Sequence, residues 1–361
     1  MSGSTVLITG GAGFIGSNLA SKLAERGDQV ILVDSLHPQV HDGGWPEGVP
    51  AGVTTIPFDV TIPTQWDALF KMIRPDVVVH LAAETGTGQS LTEASRHGRV
   101  NVVGTTELLD GLSRADQVPR RFVLASSRAI YGEGMWTTAD SNDFYADARG
   151  VSQLTSSRWD PSPPTRDRGV VTPLAHRAGF VEPRPSNIYA ATKLAQEHVL
   201  SAWASARGSA LSILRLQNVY GPGQSLSNPY TGIVSLFARL AKEHRTIPVY
   251  EDGHIVRDFV FIEDVVAALA AACASNTEAV TTVDIGSGES VTLLDLASEI
   301  ARQAGAPEPQ VNGAFRLGDV RAAFADVTGA HALLGYVPQT TPARGVGLLL
   351  DWIGTQKLQP V

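Results

Sequence analysis

The chain has 361 residues, 43% of them apolar and 18% charged. That length buries a full hydrophobic core without disulfide or metal staples, and that composition excludes a disordered chain. Lys and Arg number 28 against 36 Asp and Glu, a formal charge of −8 with no basic run, which argues against duplex DNA and anionic membranes as partners.

Residues 6–9 predict a strand. Residues 14–26 predict a helix with Leu19 and Leu23 on one face, and residues 30–33 a second strand. Next come a helix over 66–73, a strand over 77–81, a helix over 102–112 and a strand over 122–125. Repeated βα units with almost wholly apolar strands predict an α/β fold, a doubly wound parallel sheet covered on both faces. From residue 133 to 186 periodicity fails in a stretch rich in Pro, Ser, Arg and Asp. A structureless run of that length is unusual inside a compact domain. Helical spacing resumes over 189–207, and 211–216 reads as a strand. Helices are expected near 233–242, 263–274 and 293–304, among Pro and Gly turns.

Cys273 is the single cysteine, so no intrachain disulfide can form. That suits a reducing compartment. No apolar run approaches the roughly 18 residues of a membrane span, and no basic-then-apolar leader opens the sequence. A cytoplasmic protein is expected.

Residues 5–16 read T-V-L-I-T-G-G-A-G-F-I-G. Gly10, Gly13 and Gly16 follow a strand and open a helix, where small residues admit a tight turn and close approach of a pyrophosphate. The helix N-terminus adds free N–H groups and a favourable dipole. Asp34 ends the second strand, where a carboxylate accepts bonds from a ribose and repels a 2′-phosphate. This favours NAD over NADP on a Rossmann-type sheet. Asp59 and Val60 end the next extended stretch and suit the adenine edge, although an Asp there also suits a helix N-cap.

Tyr189 and Lys193 lie four residues apart, on one helix face. A phenol serves as a base near neutrality only beside positive charge, which Lys193 and NAD⁺ would supply. Ser126 and Ser127 end the 122–125 strand at the carboxyl edge of the sheet, where ligands of such folds bind. Ser127 could bond the same substrate oxygen that Tyr189 deprotonates.

These motifs, with H-L-A-A at 80–83, S-S-R-A-I-Y-G at 126–132, R-L-Q-N-V-Y-G-P-G at 215–223, R-D-F-V-F-I-E-D-V at 257–265 and R-L-G-D-V-R at 316–321, resemble the extended short-chain dehydrogenase/reductases. These are NAD-dependent nucleotide-sugar epimerases and dehydratases. The resemblance implies a catalytic set of Ser127, Tyr189 and Lys193. It implies cofactor contacts at Gly10, Gly13, Phe14, Ile15, Gly16, Asp34, Asp59, Val60, Leu81, Ala82, Ala83, Asn101, Tyr189, Lys193 and Leu216. It implies substrate contacts at Glu84, Thr85, Ser127, Arg128, Asn218, Arg257 and Arg316. The two late arginines would hold a diphosphate through their planar forks, which reconciles an acidic chain with a polyanionic ligand. Residues 1–218 would form the NAD-binding domain, with an insertion over about 134–186, rejoined by about 256–286. Residues 219–361 would form an interleaved, smaller mixed α/β nucleotide-sugar lobe. A homodimer through helices near 102–112 and 189–207 is expected.

Departures from the family pattern narrow the chemistry. Sugar 4,6-dehydratases carry Asp-Glu after the catalytic hydroxyl, where this chain has Arg128 and Ala129, so dehydration lacks its acid and base. C4 epimerisation remains. Ala323 falls where 4-epimerases carry a residue that sets pocket size. The stretches 126–134, 215–233 and 83–90 are most similar to those of dTDP-L-rhamnose 4-epimerases. Many of those hold Cys pairs in the enlarged segment; this chain has none there, and His176 alone cannot build a zinc site, so no metal is expected. A net oxidoreductase, a sugar dehydrogenase or 4-ketoreductase, would use the same triad.

Overall fold

The computed structural model describes residues 3–41, 44–164, 169–226 and 232–356. The first strands are β1 (Thr5–Thr9), β2 (Gln29–Asp34), β3 (Thr54–Pro57), β4 (Val77–His80) and β5 (Arg121–Ser127). The insertion contributes β6 (Met135–Thr138), β7 (Asp143–Tyr145) and β8 (Val171–Pro173). After it come β9 (Ala210–Leu216), β10 (Asn218–Tyr220), β11 (Pro248–Val249), β12 (Val256–Phe261), β13 (Val280–Ile285), β14 (Ser290–Thr292), β15 (Gln310–Val311) and β16 (Ala322–Ala323).

The main sheet has seven parallel strands in the order β13-β9-β5-β4-β1-β2-β3. Alternation of side chains splits it between two cores. Val6 and Ile8 of β1 enter one cluster, and Leu7 between them enters the other. Both faces are therefore buried, which is why these strands are apolar without a break. The chain runs outward from β1 to β2 and β3, then returns to β4 on the other side of β1. The crevice beyond the carboxyl ends of β1 and β4 is the switch point at which such sheets bind ligands.

Helix α1 (Phe14–Glu25) buries Leu19, Ala20 and Leu23 on one face of the sheet. Helix α2 (Pro63–Met72) covers the other face with Trp66, Leu69 and Phe70. The expected helix over 102–112 is the end of a longer helical run. Short helices α3 (Thr87–Ser90) and α4 (Ala94–His97) lead into a π-helical turn, Gly98–Val103, and then α5 (Gly104–Arg114). Such π turns recur at functional sites, and this one carries Asn101.

The insertion differs from its expected irregularity. Strands β6, β7 and β8 form a small antiparallel sheet, with α6 (Val151–Thr155) between β7 and β8 in the chain. The strands have three or four residues each, too short for a period-two signal. Arg149 anchors the insertion through bonds to Glu133 at 3.0 Å and Glu251 at 2.8 Å, all three almost fully buried. Arg321 joins the same carboxylate at 3.0 Å.

Helix α7 (Ile188–Arg207) follows. The later helices are α8 (Ile233–Lys242), α9 (Ile262–Ala274), α10 (Leu293–Ala304), α11 (Thr328–Leu334) and α12 (Pro342–Thr355). Val234, Leu296 and Leu349 of α8, α10 and α12 share one continuous core with α1 and β1. Of residues 256–286, β13 joins the main sheet beside β9, whereas β12 pairs with β10, β14 and β16 in a smaller one. The stretch 227–231 of the Arg215–Gly223 motif's continuation lies outside the described residues.

Candidate active site

A cavity of about 580 Å³ opens at the switch point. Gly10, Gly13, Phe14, Ile15, Gly16, Asp34, Asp59, Val60, Leu81, Ala82 and Ala83 line it. Gly10 has φ +68°, and a Cβ there would lie 2.8 Å from the Ala82 nitrogen. A Cβ on Gly16 would lie 2.5 Å from the Gly10 carbonyl oxygen. The loop therefore has room for backbone and ligand only. Asp34 Oδ2 accepts from the Ala12 N–H at 3.0 Å, and Oδ1 from the Leu36 N–H at 2.9 Å. These bonds fix the carboxylate against the cavity wall. The cradle and the carboxylate together fit an NAD molecule. Asp59 also lines the cavity, while its Oδ1 accepts from the Thr61 N–H and hydroxyl.

Ser127 ends β5 and caps the short 3₁₀ turn Arg128–Tyr131, its hydroxyl oxygen accepting from the Ala129 N–H at 3.2 Å. The same hydroxyl faces the Tyr189 phenol and favours its deprotonated form. Asn187 caps α7 by accepting from the Ala190 N–H at 2.9 Å, which places Tyr189 in the first turn, facing β5. The two serines part company here. Ser126 donates to Glu197, which is ion-paired with Arg215 at 2.8 Å in a buried cluster away from Tyr189.

Lys193 was expected to supply the charge beside the phenol. Its ammonium donates to Gln196 Oε1 at 2.6 Å. Gln196 in turn donates to the Thr105 hydroxyl at 2.9 Å and lies 3.2 Å from His80 Nε2. Burial lowers the Lys193 ammonium to about 8, with Glu197 opposing the shift. Burial pushes the Tyr189 phenol up, while the Ser127 bond and the Arg128 charge pull it back. Arg128, one residue beyond Ser127, is thus a protein cation near Tyr189. Its Nε donates to Asn218 Oδ1 at 2.8 Å. Gln217, next to Asn218, buries a side-chain amide with no partner among the described residues.

Leu216 pairs in register with Ser127 on one side and Ile285 on the other, at the carboxyl edge of the sheet. Asn101 lies beneath the cavity rather than in its lining. Its Oδ1 accepts from the Glu84 N–H at 2.7 Å, and its Nδ2 donates to Thr192 at 2.9 Å. Glu84 lines the cavity, paired with Arg96 at 2.8 Å, so the carboxylate already has a cation; Thr85 also lines the wall.

Arg257 is buried, donating to the carbonyls of Val256 at 2.8 Å and Val320 at 2.7 Å. Burial, reinforced by the nearby Arg128 charge, holds it down to about 9. Ala323 pairs beside it on β16. Arg316 is exposed and sits over the Tyr250 ring at 5.4 Å. His176 is buried against Tyr131, ring centroids 4.4 Å apart, and burial among Arg128, Arg257 and Arg215 keeps its value near 3.

Sequence reasoning missed His37, Gln39, His41, Gln89 and Arg96, all in the cavity wall. His37, Gln39 and His41 follow β2, whereas Gln89 and Arg96 sit on the short helices α3 and α4; the bonds of Gln39 to Gln89 and Arg96 span 50 and 57 positions, so no local spacing announces them. Gln196 had a signal, the three-residue step from Lys193 on one helix face.

The description "NAD dependent epimerase/dehydratase family" fits residues 6–150 and 160–286 of the chain. The chain is 51% identical over 356 residues to a dTDP-L-rhamnose 4-epimerase of Burkholderia thailandensis, across 98% of this chain and 96% of that one. It is similar to the crystal structure of Thermotoga maritima UDP-glucose 4-epimerase with UDP-glucose, with TM-score 0.76 and 27% identity over 97% of this chain and 98% of that one. A Thermus thermophilus UDP-glucose 4-epimerase in complex with NAD has TM-score 0.75 and 29% identity, over 98% of this chain and all of that one.

Proposed function

Because the chain belongs to the NAD-dependent epimerase/dehydratase family, we propose that it is an NAD-dependent nucleotide-sugar 4-epimerase. Its substrate is a dTDP- or UDP-hexose, with a 6-deoxyhexose favoured. The observation that carries this reading is full-length 51% identity to a dTDP-L-rhamnose 4-epimerase.

NAD is held by the Gly10–Gly16 loop and Asp34, and when bound it supplies a reversible hydride acceptor for sugar C4. Tyr189 takes the proton from the C4 hydroxyl and returns it after the ring has turned. Ser127 holds the same oxygen through its hydroxyl. Arg128 favours the deprotonated phenol, as charge close to an oxyanion does. Lys193, fixed by Gln196, binds the nicotinamide ribose. Asn218, Arg257 and Arg316 hold the nucleotide diphosphate, and Glu84 and Thr85 bound the sugar. The hexose must be held loosely and the diphosphate firmly, since the sugar presents both faces in turn.

Residues 1–218 form the NAD half and 219–361 the interleaved sugar-nucleotide half. The protein works as a cytoplasmic homodimer through the surfaces of α5 and α7, a state that analytical ultracentrifugation reads directly.

The deciding experiment is an NMR time course with dTDP-L-rhamnose, dTDP-glucose and UDP-glucose, with no cofactor added. A C4 epimer appearing while the NADH absorbance stays flat supports the reading. Turnover that requires stoichiometric NAD(H) overturns it in favour of a net oxidoreductase.

A further inference from the structure

The cavity has two walls that belong to different strands. The segment after β2 supplies Gln39; the segment after β4 supplies Gln89 and Arg96. Gln39 Nε2 donates to Gln89 Oε1 at 3.0 Å, and Gln89 Nε2 donates back to Gln39 Oε1 at 3.1 Å. Arg96 adds a bond to Gln39 Oε1 at 3.3 Å and is itself held by Glu84 and Glu93. Gln89 also donates to Glu93 at 2.9 Å.

The sheet order says where this bridge runs. β1 lies between β4 and β2. Side chains that join the β4 loop to the β2 loop must therefore cross in front of the β1 glycine loop. That is where a pyrophosphate on the α1 N-terminus sits. The two sides differ in firmness. Gln89 is buried, and Glu84 behind it is tied to Asn101. Around Gln39 the chain is exposed at His37, Pro38 and Val40, and Gln39 is half-buried. The β2 side is thus held by Gln39 together with the His41–Asp34 contact at 3.6 Å.

We propose that the Gln39–Gln89 amide pair, backed by Arg96, is a strap that closes over the dinucleotide pyrophosphate and keeps the cofactor resident between turnovers. This inference rests on the NAD reading of the cavity. A reaction that returns its hydride to the same substrate needs a cofactor that stays. Neutral amide bonds suit the task, because each contributes only about 1 kcal/mol net and so can open for entry.

The test follows release of NADH, read as loss of its protein-bound fluorescence after excess NAD⁺ is added. In Gln39→Ala and Gln89→Ala, release should quicken by about tenfold, the scale of one or two lost neutral hydrogen bonds. Unchanged release in both variants overturns the strap. A second protein carries Gln39→Cys and Gln89→Cys, joined by a flexible dimaleimide after NADH is bound; the native Cys273 is buried and does not compete. Release should then stop, and release at the uncrosslinked rate overturns the proposal. Wild-type protein that binds no NADH at all would instead sink the cofactor reading itself.

Discussion

Arg128 Nε donates to Asn218 Oδ1 at 2.8 Å, and this bond holds a guanidinium close to the Tyr189 phenol. The residue after Ser127 thereby adds a positive charge near that phenol. Sequence spacing points to Lys193 for the same electrostatic role, and the structure ties its ammonium to Gln196.

Arg128→Met should move the rise of activity with pH to higher pH, by about one unit for loss of a nearby charge in a partly screened site. The sign follows because removing positive charge disfavours phenolate. Arg128→Lys should recover part of the shift. A pH profile of kcat for both variants checks this; coincident profiles would show that Arg128 does not act on Tyr189. Tyr189→Phe should lose about 10²-fold to 10⁴-fold in rate while still binding NADH.

Asp34 is expected to set cofactor choice. Asp34→Asn keeps the side chain's shape but replaces one acceptor oxygen by an N–H donor. NADH should bind about tenfold more weakly, since a charge-assisted bond to ribose is lost. The preference for NADH over NADPH should narrow. Equilibrium titration with both dinucleotides measures each change.

Arg149 holds the insertion. Arg149→Met leaves Glu133 buried with its ion-pair partner gone. Urea unfolding should show a loss of about 3 kcal/mol or more, the scale for an uncompensated buried charge. Adding Glu133→Gln to that variant should restore part of the loss. An Arg149→Met protein as stable as wild type would mean that the insertion is held elsewhere.

His176 makes the fold acid-sensitive. Its folded value near 3 lies below the ordinary 6.5, so the unfolded chain takes up a proton that the folded chain refuses. Stability is therefore full above pH 6.5 and falls as pH drops towards 3. At pH 5 the loss from this residue is about 2 kcal/mol, from a shortfall of roughly 1.5 pH units. Urea unfolding of His176→Phe at pH 7 and pH 5 should show a smaller acid loss than wild type by that amount.

Much of the fold was legible in sequence because its signals are local. The predicted helices over 233–242 and 293–304 match α8 and α10 residue for residue, since their apolar spacing ends at charged or small residues. The insertion was not legible. Arg149 and Glu133 look like surface residues until their mutual pairing, and that of Arg149 with Glu251, explains their burial.

The sequence by itself determined the glycine loop, the carboxylate on Asp34 and the four-residue step from Tyr189 to Lys193, because each acts within one turn or one strand end. Tertiary structure alone decided which of two adjacent serines meets the phenol, that Arg128 adds a cation near it and which amides bridge the cavity. Those are contacts between residues 50 or more positions apart, such as Gln39 with Gln89 and Arg128 with Asn218. Their partners are chosen by strand order and packing, and no local pattern encodes either.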